Sequence, residues 1–352
     1  MNNRIRAALV LEDGTRFEGY SFGSATNTQG EIVFGTGMVG YPEAFTDPSF
    51  KDQILVMTYP IVGNYGVSKG PFESDGVKIQ GLIVQYYSDD YSHAGAIKSL
   101  HEWLDESSVP AIYGIDTRAV TKKLREHGVM LGQIVVGSSR GKKYIADPNE
   151  RNLVAEVSPA RSITYGSGKK KVIAVDCGMK LSILRKLTER GVTVKRVPWD
   201  YDFTNEDWDG LFISNGPGDP QMADATIAHL KTVLHSPKPI FGICLGSQIL
   251  GLAAGAKTYK LKYGHRSQNQ PCVDRMSGRC YLTTQNHGFA VRESTMPKWW
   301  HVWFTNANDG TVEGIRHASK PHFSVQFHPE ANPGPEDTEY LFDDFISLVK
   351  KQ

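Results

Sequence analysis

Residues 238–254 read Lys-Pro-Ile-Phe-Gly-Ile-Cys-Leu-Gly-Ser-Gln-Ile-Leu-Gly-Leu-Ala-Ala and change character within two residues. Ile240 to Ile243 is the short apolar run of a buried strand. From Leu245 onward the apolar residues fall at Leu245, Ile249, Leu250 and Ala253, the spacing of one helix face. A passage from strand to helix in so little chain requires a sharp turn with small neighbours, because side chains there collide with backbone. Gly242 and Gly246 stand two residues to either side of Cys244. Gly-x-Ser-x-Gly is the hydroxyl form of such an elbow, and here sulfur takes the place of oxygen. At a helix N-terminus the unpaired N–H groups and the dipole favour a thiolate, which is the nucleophilic form.

A cysteine simply packed at a sheet edge is the plainer reading, because free cysteines are among the most buried residues. A second stretch decides against it. Residues His322 to Phe327 alternate and are rich in strand formers, and they lead into His328-Pro-Glu330. Proline keeps the residue before it extended, and residues two apart on an extended chain point to one side. The pattern therefore predicts His328 and Glu330 as neighbours, an imidazole to take the thiol proton and a carboxylate to fix its orientation and tautomer. Nucleophile, base and orienting group are what covalent acyl transfer requires.

Gly242-Ile-Cys244-Leu-Gly246-Ser-Gln248 together with His328-Pro-Glu330 resembles the class I, triad-type glutamine amidotransferases. Gly40-Tyr-Pro-Glu-Ala-Phe-Thr46-Asp47-Pro-Ser49, Thr58-Tyr-Pro-Ile-Val-Gly-Asn64 and Gly114-Ile-Asp116-Thr-Arg118 narrow the likeness. From about Arg6 to Leu348 the chain resembles the small-subunit family of glutamine-hydrolysing carbamoyl-phosphate synthetases. No catalytic position departs from that family's pattern.

A chain of 352 residues exceeds one ordinary core, so two domains are expected. The boundaries read 1–145 for an N-terminal α+β domain, 146–170 for a linker and 171–352 for the amidotransferase domain. The linker holds Pro148, Pro159, Ser162, Gly166, Ser167 and Gly168 before a basic run, 169–171, read as solvated. From Val172 strands and helices alternate, the mark of a mainly parallel sheet with helices on both faces. Strands are expected at 172–176, 193–197 and 210–214. Helices are expected at 180–190, after Pro220 to His235, and at 336–350. The 281–289 stretch reads as a strand followed by a loop. The resemblance implies a flavodoxin-like architecture for this half, and in such sheets ligands sit beyond the carboxyl ends of the strands. In the first half strands are expected near 7–11, 16–22, 31–34, 54–58, 81–87, 111–115 and 133–136, with helices at 97–106 and 117–127. Gly35-x-Gly37-x-x-Gly40 satisfies a dinucleotide-binding pattern, but Pro42 and Pro48 are read as preventing the helix it needs, leaving a loop.

The resemblance also implies roles. Gly216 and Gly218 of the Asn215-Gly-Pro-Gly218 loop line the substrate, and the Leu245 amide faces the developing oxyanion. Such donors are each worth ~3 kcal/mol in the transition state. Gln248, Asn286, Gly288 and Phe289 hold the amino-acid end of glutamine, and Ser49 contacts it. His287 has no carboxylate two residues on and is read as structural, as are Cys177, Cys272 and Cys280.

Composition is compatible with these readings. Hydrophobic residues are 40% and charged residues 22%, and the net charge of +1 gives no electrostatic reason to expect nucleic acid or a membrane surface. No apolar run approaches the ~20 residues of a membrane span. Met1-Asn-Asn-Arg-Ile-Arg leads into a strand pattern with no room for a leader. Four cysteines, none before Cys177, indicate a reducing, cytoplasmic setting without disulfides, and their spacing predicts no metal site. The implied activity is hydrolysis of L-glutamine to glutamate and ammonia. The chain shows no ATP-binding loop and no cofactor site. The resemblance therefore assigns ATP and Mg to a separate large synthetase subunit, forming carbamoyl phosphate in a heterodimer for arginine and pyrimidine synthesis. A glutaminase serving another synthetase, or an inert regulatory subunit, are the rival readings.

Overall fold

The computed structural model describes residues 5–138, 141 and 144–352. The first four residues, part of the expected lead into a strand, lie outside that range. The chain divides into two compact units, Met1–Glu150 and Arg151–Gln352.

The N-terminal unit is built on a closed barrel. Its strands follow the order Arg6–Leu11, Met130–Val136, Thr28–Gly35, Gln53–Met57, Gly81–Ile83, Pro110–Tyr113, Arg16–Gly23 and back to the first. Closure leaves no unpaired sheet edge. Strand alternation gives two apolar faces. Leu9, Ile32, Ile54, Ile83, Ile112 and Ile134 pack with Val120 and Leu124 of the helix Thr117–His127. Val33, Leu55, Leu82 and Ala111 pack with Trp103 and Leu104 of the helix Leu100–Glu106. Asp116 caps the Thr117–His127 helix by accepting from the Ala119 N–H at 2.9 Å, and Gly128 ends it. Residues 97 and 98, expected to begin a helix, belong to the short strand Ala96–Lys98 instead. A helix does open behind Gly40, over Tyr41–Thr46, contrary to the loop expected there. Pro42 lies in its first turn, where a missing N–H costs nothing. The helix is only six residues long.

The C-terminal unit is a ten-stranded sheet in the order Ile163–Tyr165, Thr193–Pro198, Lys171–Asp176, Gly210–Ile213, Ile240–Ile243, His322–Val325, Val312–His317, Trp300–Asn306, Thr258–Asp274, Cys280–Val291. The five strands from Thr193–Pro198 to His322–Val325 pair in parallel, and the remainder pair antiparallel. Helices cover both faces, as the alternation required. Leu181–Glu189 and Tyr340–Lys350 bury Ile183, Leu187, Leu341, Phe342 and Phe345 on one side. Asp224–Val233 and Leu245–Ala254 bury Leu230, Val233, Ile249 and Leu250 on the other. Two expectations change. Residues 146–170 contain the helix Leu153–Val157 and the edge strand Ile163–Tyr165, because pairing to Thr193–Pro198 satisfies backbone that composition alone reads as loop. The 281–289 strand continues to Val291 without a loop, held by its antiparallel partner Thr258–Asp274.

Phe241 lies at the middle of the first face, stacked on Phe323 at 4.6 Å between centroids and edge-on to Phe212 at 5.4 Å. Phe241→Ala is expected to cost roughly 3–5 kcal/mol by leaving a cavity in a packed layer. Leu282→Ala, at a half-exposed position, should stay within about 0.5 kcal/mol. Denaturant titration followed by fluorescence of Trp199, Trp208, Trp300 and Trp303 in the same unit measures both.

Candidate active site

Cys244 is the N-cap of the helix Leu245–Ala254, directly after the strand Ile240–Ile243, with φ 54° and ψ −106°. A non-glycine residue at such angles is strained and persists only where its surroundings fix it. Those surroundings are tight. A Cβ at Gly242 would lie 2.5 Å from the Gly246 carbonyl oxygen, and one at Gly246 would lie 2.2 Å from that of Ile213. The Cys244 N–H donates to Val325 O at 2.9 Å, pinning the turn to the strand that leads to His328. The thiol is buried and lies 3.5 Å from Asn286 O.

His328 is held from both ends. Its N–H donates to Thr284 O at 2.9 Å, and its Nδ1 lies 2.6 Å from Glu330 Oε1. Its Nε2 has no normal hydrogen-bond partner, and the Cys244 thiol lies close enough to act on the ring. Burial disfavours the charged ring. Glu330 and then Cys244 outweigh it, holding the His328 pKa well above its ordinary value. The juxtaposition with Glu330 is made differently from the extended path expected. Regular strand ends at Val325, and the chain turns after His328, with Ala331 N–H donating to His328 O at 3.2 Å.

Lys180 was not singled out by the sequence. Its Nζ lies 2.9 Å from Glu330 Oε1 and donates to Ala331 O at 2.9 Å, both side chains being almost wholly buried. Its own N–H donates to Asn215 Oδ1 at 3.0 Å, so the residue spans three strand ends. Burial pushes the Glu330 carboxyl up, but Lys180 and then His328 draw its pKa down to about 2. A lysine set between Cys-Gly-Met and an apolar helix was a faint signal, a charged side chain with no polar face around it.

The positions proposed for glutamine are gathered unevenly. Gln248 Nε2 donates to Phe289 O at 2.8 Å and to Gln326 Oε1 at 3.1 Å, joining the elbow helix to the Cys280–Val291 strand. Asn286 reaches the thiol through its carbonyl. Leu245 is buried at the helix start, where N–H groups lack intrahelical partners. Gly216 packs so closely that a Cβ would lie 2.0 Å from Cys177 O and 2.8 Å from Leu245 Cδ2. Gly218 has φ 82° and faces Leu153, while Gly288 faces the Arg266 guanidinium. Ser49 belongs to the N-terminal unit, buried in the turn Pro48–Phe50 with its N–H donating to Asp47 Oδ1 at 2.9 Å.

The four cysteines are free. Burial pushes the Cys177 and Cys272 thiols far up, which makes them inert. His265, His287 and Glu313 form a buried group whose ligand atoms lie within 4.8 Å of one another, close enough to consider a metal ion. Burial disfavours charge on His265. Bonds to Asp309 and Glu313 outweigh it and raise its pKa to about 9. His287, read as structural, is lowered well below its ordinary value by burial and stays neutral. No helix is long and apolar enough to cross a membrane among the described residues.

Comparison with known proteins agrees with this geometry. Residues 173–348 match the family described as glutamine amidotransferase class-I, and residues 9–134 match the carbamoyl-phosphate synthase small chain, CPSase domain. Multifunctional protein pyr1-3 of Dictyostelium discoideum is 50% identical over 99% of this chain and 17% of its own length. Multifunctional protein CAD of Squalus acanthias is 51% identical over 98% of this chain and 16% of its own. The human protein named carbamoyl-phosphate synthase [ammonia], mitochondrial, is 50% identical over 98% of this chain and 24% of its own. The chain thus spans less than a quarter of the length of these relatives.

Lys180→Met leaves Glu330 buried without its cation and is expected to cost roughly 3 kcal/mol at neutral pH. The Glu330 pKa is depressed on folding, so the pair's contribution is full above about pH 4.5 and is lost as pH falls toward about 2. The stability gap between wild type and variant should therefore narrow across that window, as read by urea midpoints at stepped pH. A gap that widens on acidification contradicts the assignment.

Proposed function

The chain belongs to the class I glutamine amidotransferases and carries the carbamoyl-phosphate synthase small-chain domain ahead of that fold, and from this premise we propose that it hydrolyses L-glutamine at Cys244. The observation that carries the reading is the state of His328, with Nδ1 tied to Glu330 and Nε2 left without a partner.

The chemistry follows from that arrangement. The Cys244 sulfur adds to the side-chain amide carbon of glutamine, the exchangeable proton being held on His328 Nε2. The developing oxyanion meets the backbone N–H of Leu245 and of the Gly216 loop. The C–N bond breaks as His328 returns the proton to nitrogen, releasing ammonia and leaving a glutamyl thioester. Water then adds to the thioester with His328 taking its proton, and glutamate leaves as the thiol is restored. Glu330 stabilises the imidazolium in both halves, and Lys180 keeps Glu330 ionised. Gln248, Asn286, Gly288 and Phe289 are proposed to bind the amino-acid end.

Ammonia made here is proposed to feed a large synthetase portion, as fused domain or separate subunit, that uses ATP, Mg and bicarbonate to form carbamoyl phosphate. The small-chain match over residues 9–134 supports this destination above another synthetase. Free cysteines support a reducing compartment, and the cytoplasm is the proposed location.

Cys244→Ser should lower glutamine-dependent ammonia release at least about a thousandfold, since the nucleophile acts with its partners as a unit. Synthesis from added ammonium salt by the same assembly should be unchanged. Retention of glutamine hydrolysis in the variant would refute the mechanism.

A further inference from the structure

Glu313 is an acidic side chain with no exposure, its pKa raised by burial against the opposing pull of His265, and its Oε2 has no hydrogen-bond partner. Burying a carboxylate that way costs more than an apolar residue of similar size would, so a packing role alone does not account for it. Its other oxygen is crowded. Oε1 accepts from Asn306 Nδ2 at 3.3 Å, faces His265 Nδ1 at 3.3 Å and lies 3.8 Å from His287 Nε2. His265 is anchored on its far side by Asp309 at 2.9 Å, and its ring stands at 85° to that of His287 with centroids 4.9 Å apart.

Two lines of contact leave Glu313, and both end on the same atom. Through its side chain, Glu313 and His265 wedge the His287 ring, whose Nδ1–H donates to Phe289 O at 2.8 Å. Phe289 O also accepts from Gln248 Nε2. Through its main chain, Glu313 O accepts from the Gln326 N–H at 2.8 Å, and Gln326 Oε1 accepts from the same Gln248 Nε2. A main-chain carbonyl can only accept, so these contacts fix which end of the Gln248 amide is nitrogen. Gln248 Oε1 is left buried and without a partner.

We propose that Glu313 and His265 form a positioning pair that braces His287 and Gln326, so that the Gln248 side chain presents its carbonyl oxygen to the ammonium group of the substrate amino acid. The inference rests on the glutaminase reading and adds residues that touch neither substrate nor sulfur. Removing the brace frees the Gln248 amide to turn, which weakens substrate binding and leaves the thiol and its base in place.

The test is steady-state glutaminase kinetics of the full chain with its synthetase partner. Glu313→Leu should raise the glutamine KM roughly tenfold, the effect of one misplaced buried hydrogen bond. Its kcat should change less than about twofold, and the iodoacetamide alkylation rate of Cys244 should match wild type. Glu313→Gln keeps an oxygen that accepts from His265 and Asn306, so it should restore the wild-type KM. Asp309→Ala, at a half-exposed side chain that tolerates change, should give an intermediate KM and covers the case in which Glu313→Leu does not fold. Calorimetric titration with glutamine in a Cys244→Ser background reads the same loss of affinity without turnover. That titration separates failure of the brace from failure of the glutaminase reading. An unchanged KM in Asp309→Ala and in folded Glu313→Leu, a fall in alkylation rate alongside it, or a Glu313→Gln variant as impaired as Leu overturns the proposal.

Discussion

The contact between Lys180 Nζ and Glu330 Oε1, 2.9 Å long and closed to solvent, is the interaction on which the candidate site depends. Taking two charges out of water costs several kcal/mol per ion, which their attraction offsets only when further hydrogen bonds complete the set. Here they do. The ammonium also donates to Ala331 O, the carboxylate also meets His328 Nδ1, and the lysine backbone is tied to Asn215. Were Glu330 to take a proton, His328 Nδ1 would face a neutral acid, and the preference for a proton on that nitrogen would fade. The cation is thus upstream of the base, and the base upstream of the sulfur.

Packing explains how a strained nucleophile is tolerated. Cys244 holds a positive φ at the tip of its turn, a conformation costing on the order of 1–3 kcal/mol. The strand is buried throughout and the helix at every residue but Leu252 and Ala254, and the glycines that bracket the turn have no room for a side chain. Packing of the two apolar layers therefore fixes the turn, and Lys180 fixes what the turn faces.

Much of this was legible in the chain. The elbow, the His-Pro-Glu stretch and the alternating strands and helices are each carried by local pattern, since glycine spacing, proline and periodicity act within a few residues. The long antiparallel ribbon was not legible. Thr258–Asp274 mixes Lys, Arg, Gln and Asn with apolar residues and holds a bulge between Lys260 and His265, so no clean period of two survives. The helix at Tyr41 was misread because proline was weighed as a breaker when it stood in a first turn. Lys180, Glu313 and His265 escaped notice for a common reason. Each is a polar residue whose partners come from distant strands, and nothing local distinguishes a buried charge from a solvated one.

The two halves of the sheet divide the work for a geometric reason. Parallel strands end on one rim, so the turns after 171–176, 210–213, 240–243 and 322–325 bring Lys180, Asn215, Cys244 and His328 to that rim without further design. Recognition of an amino acid needs something else, a run of backbone and side chains laid alongside the sulfur. The antiparallel ribbon is placed to supply it, returning along the edge of the elbow where Thr284 O takes the His328 N–H and Asn286 O meets the thiol. Because the ribbon touches the reacting groups through main-chain oxygens, its side chains are free to vary the grip on substrate without moving the nucleophile or its base. His287, Gln285 and their buried carboxylate neighbour lie on the ribbon's side of that divide, and Lys180 with Glu330 on the other. In the proposed reaction the two buried acidic groups act on different steps, Glu313 on holding the substrate and Glu330 on moving the proton.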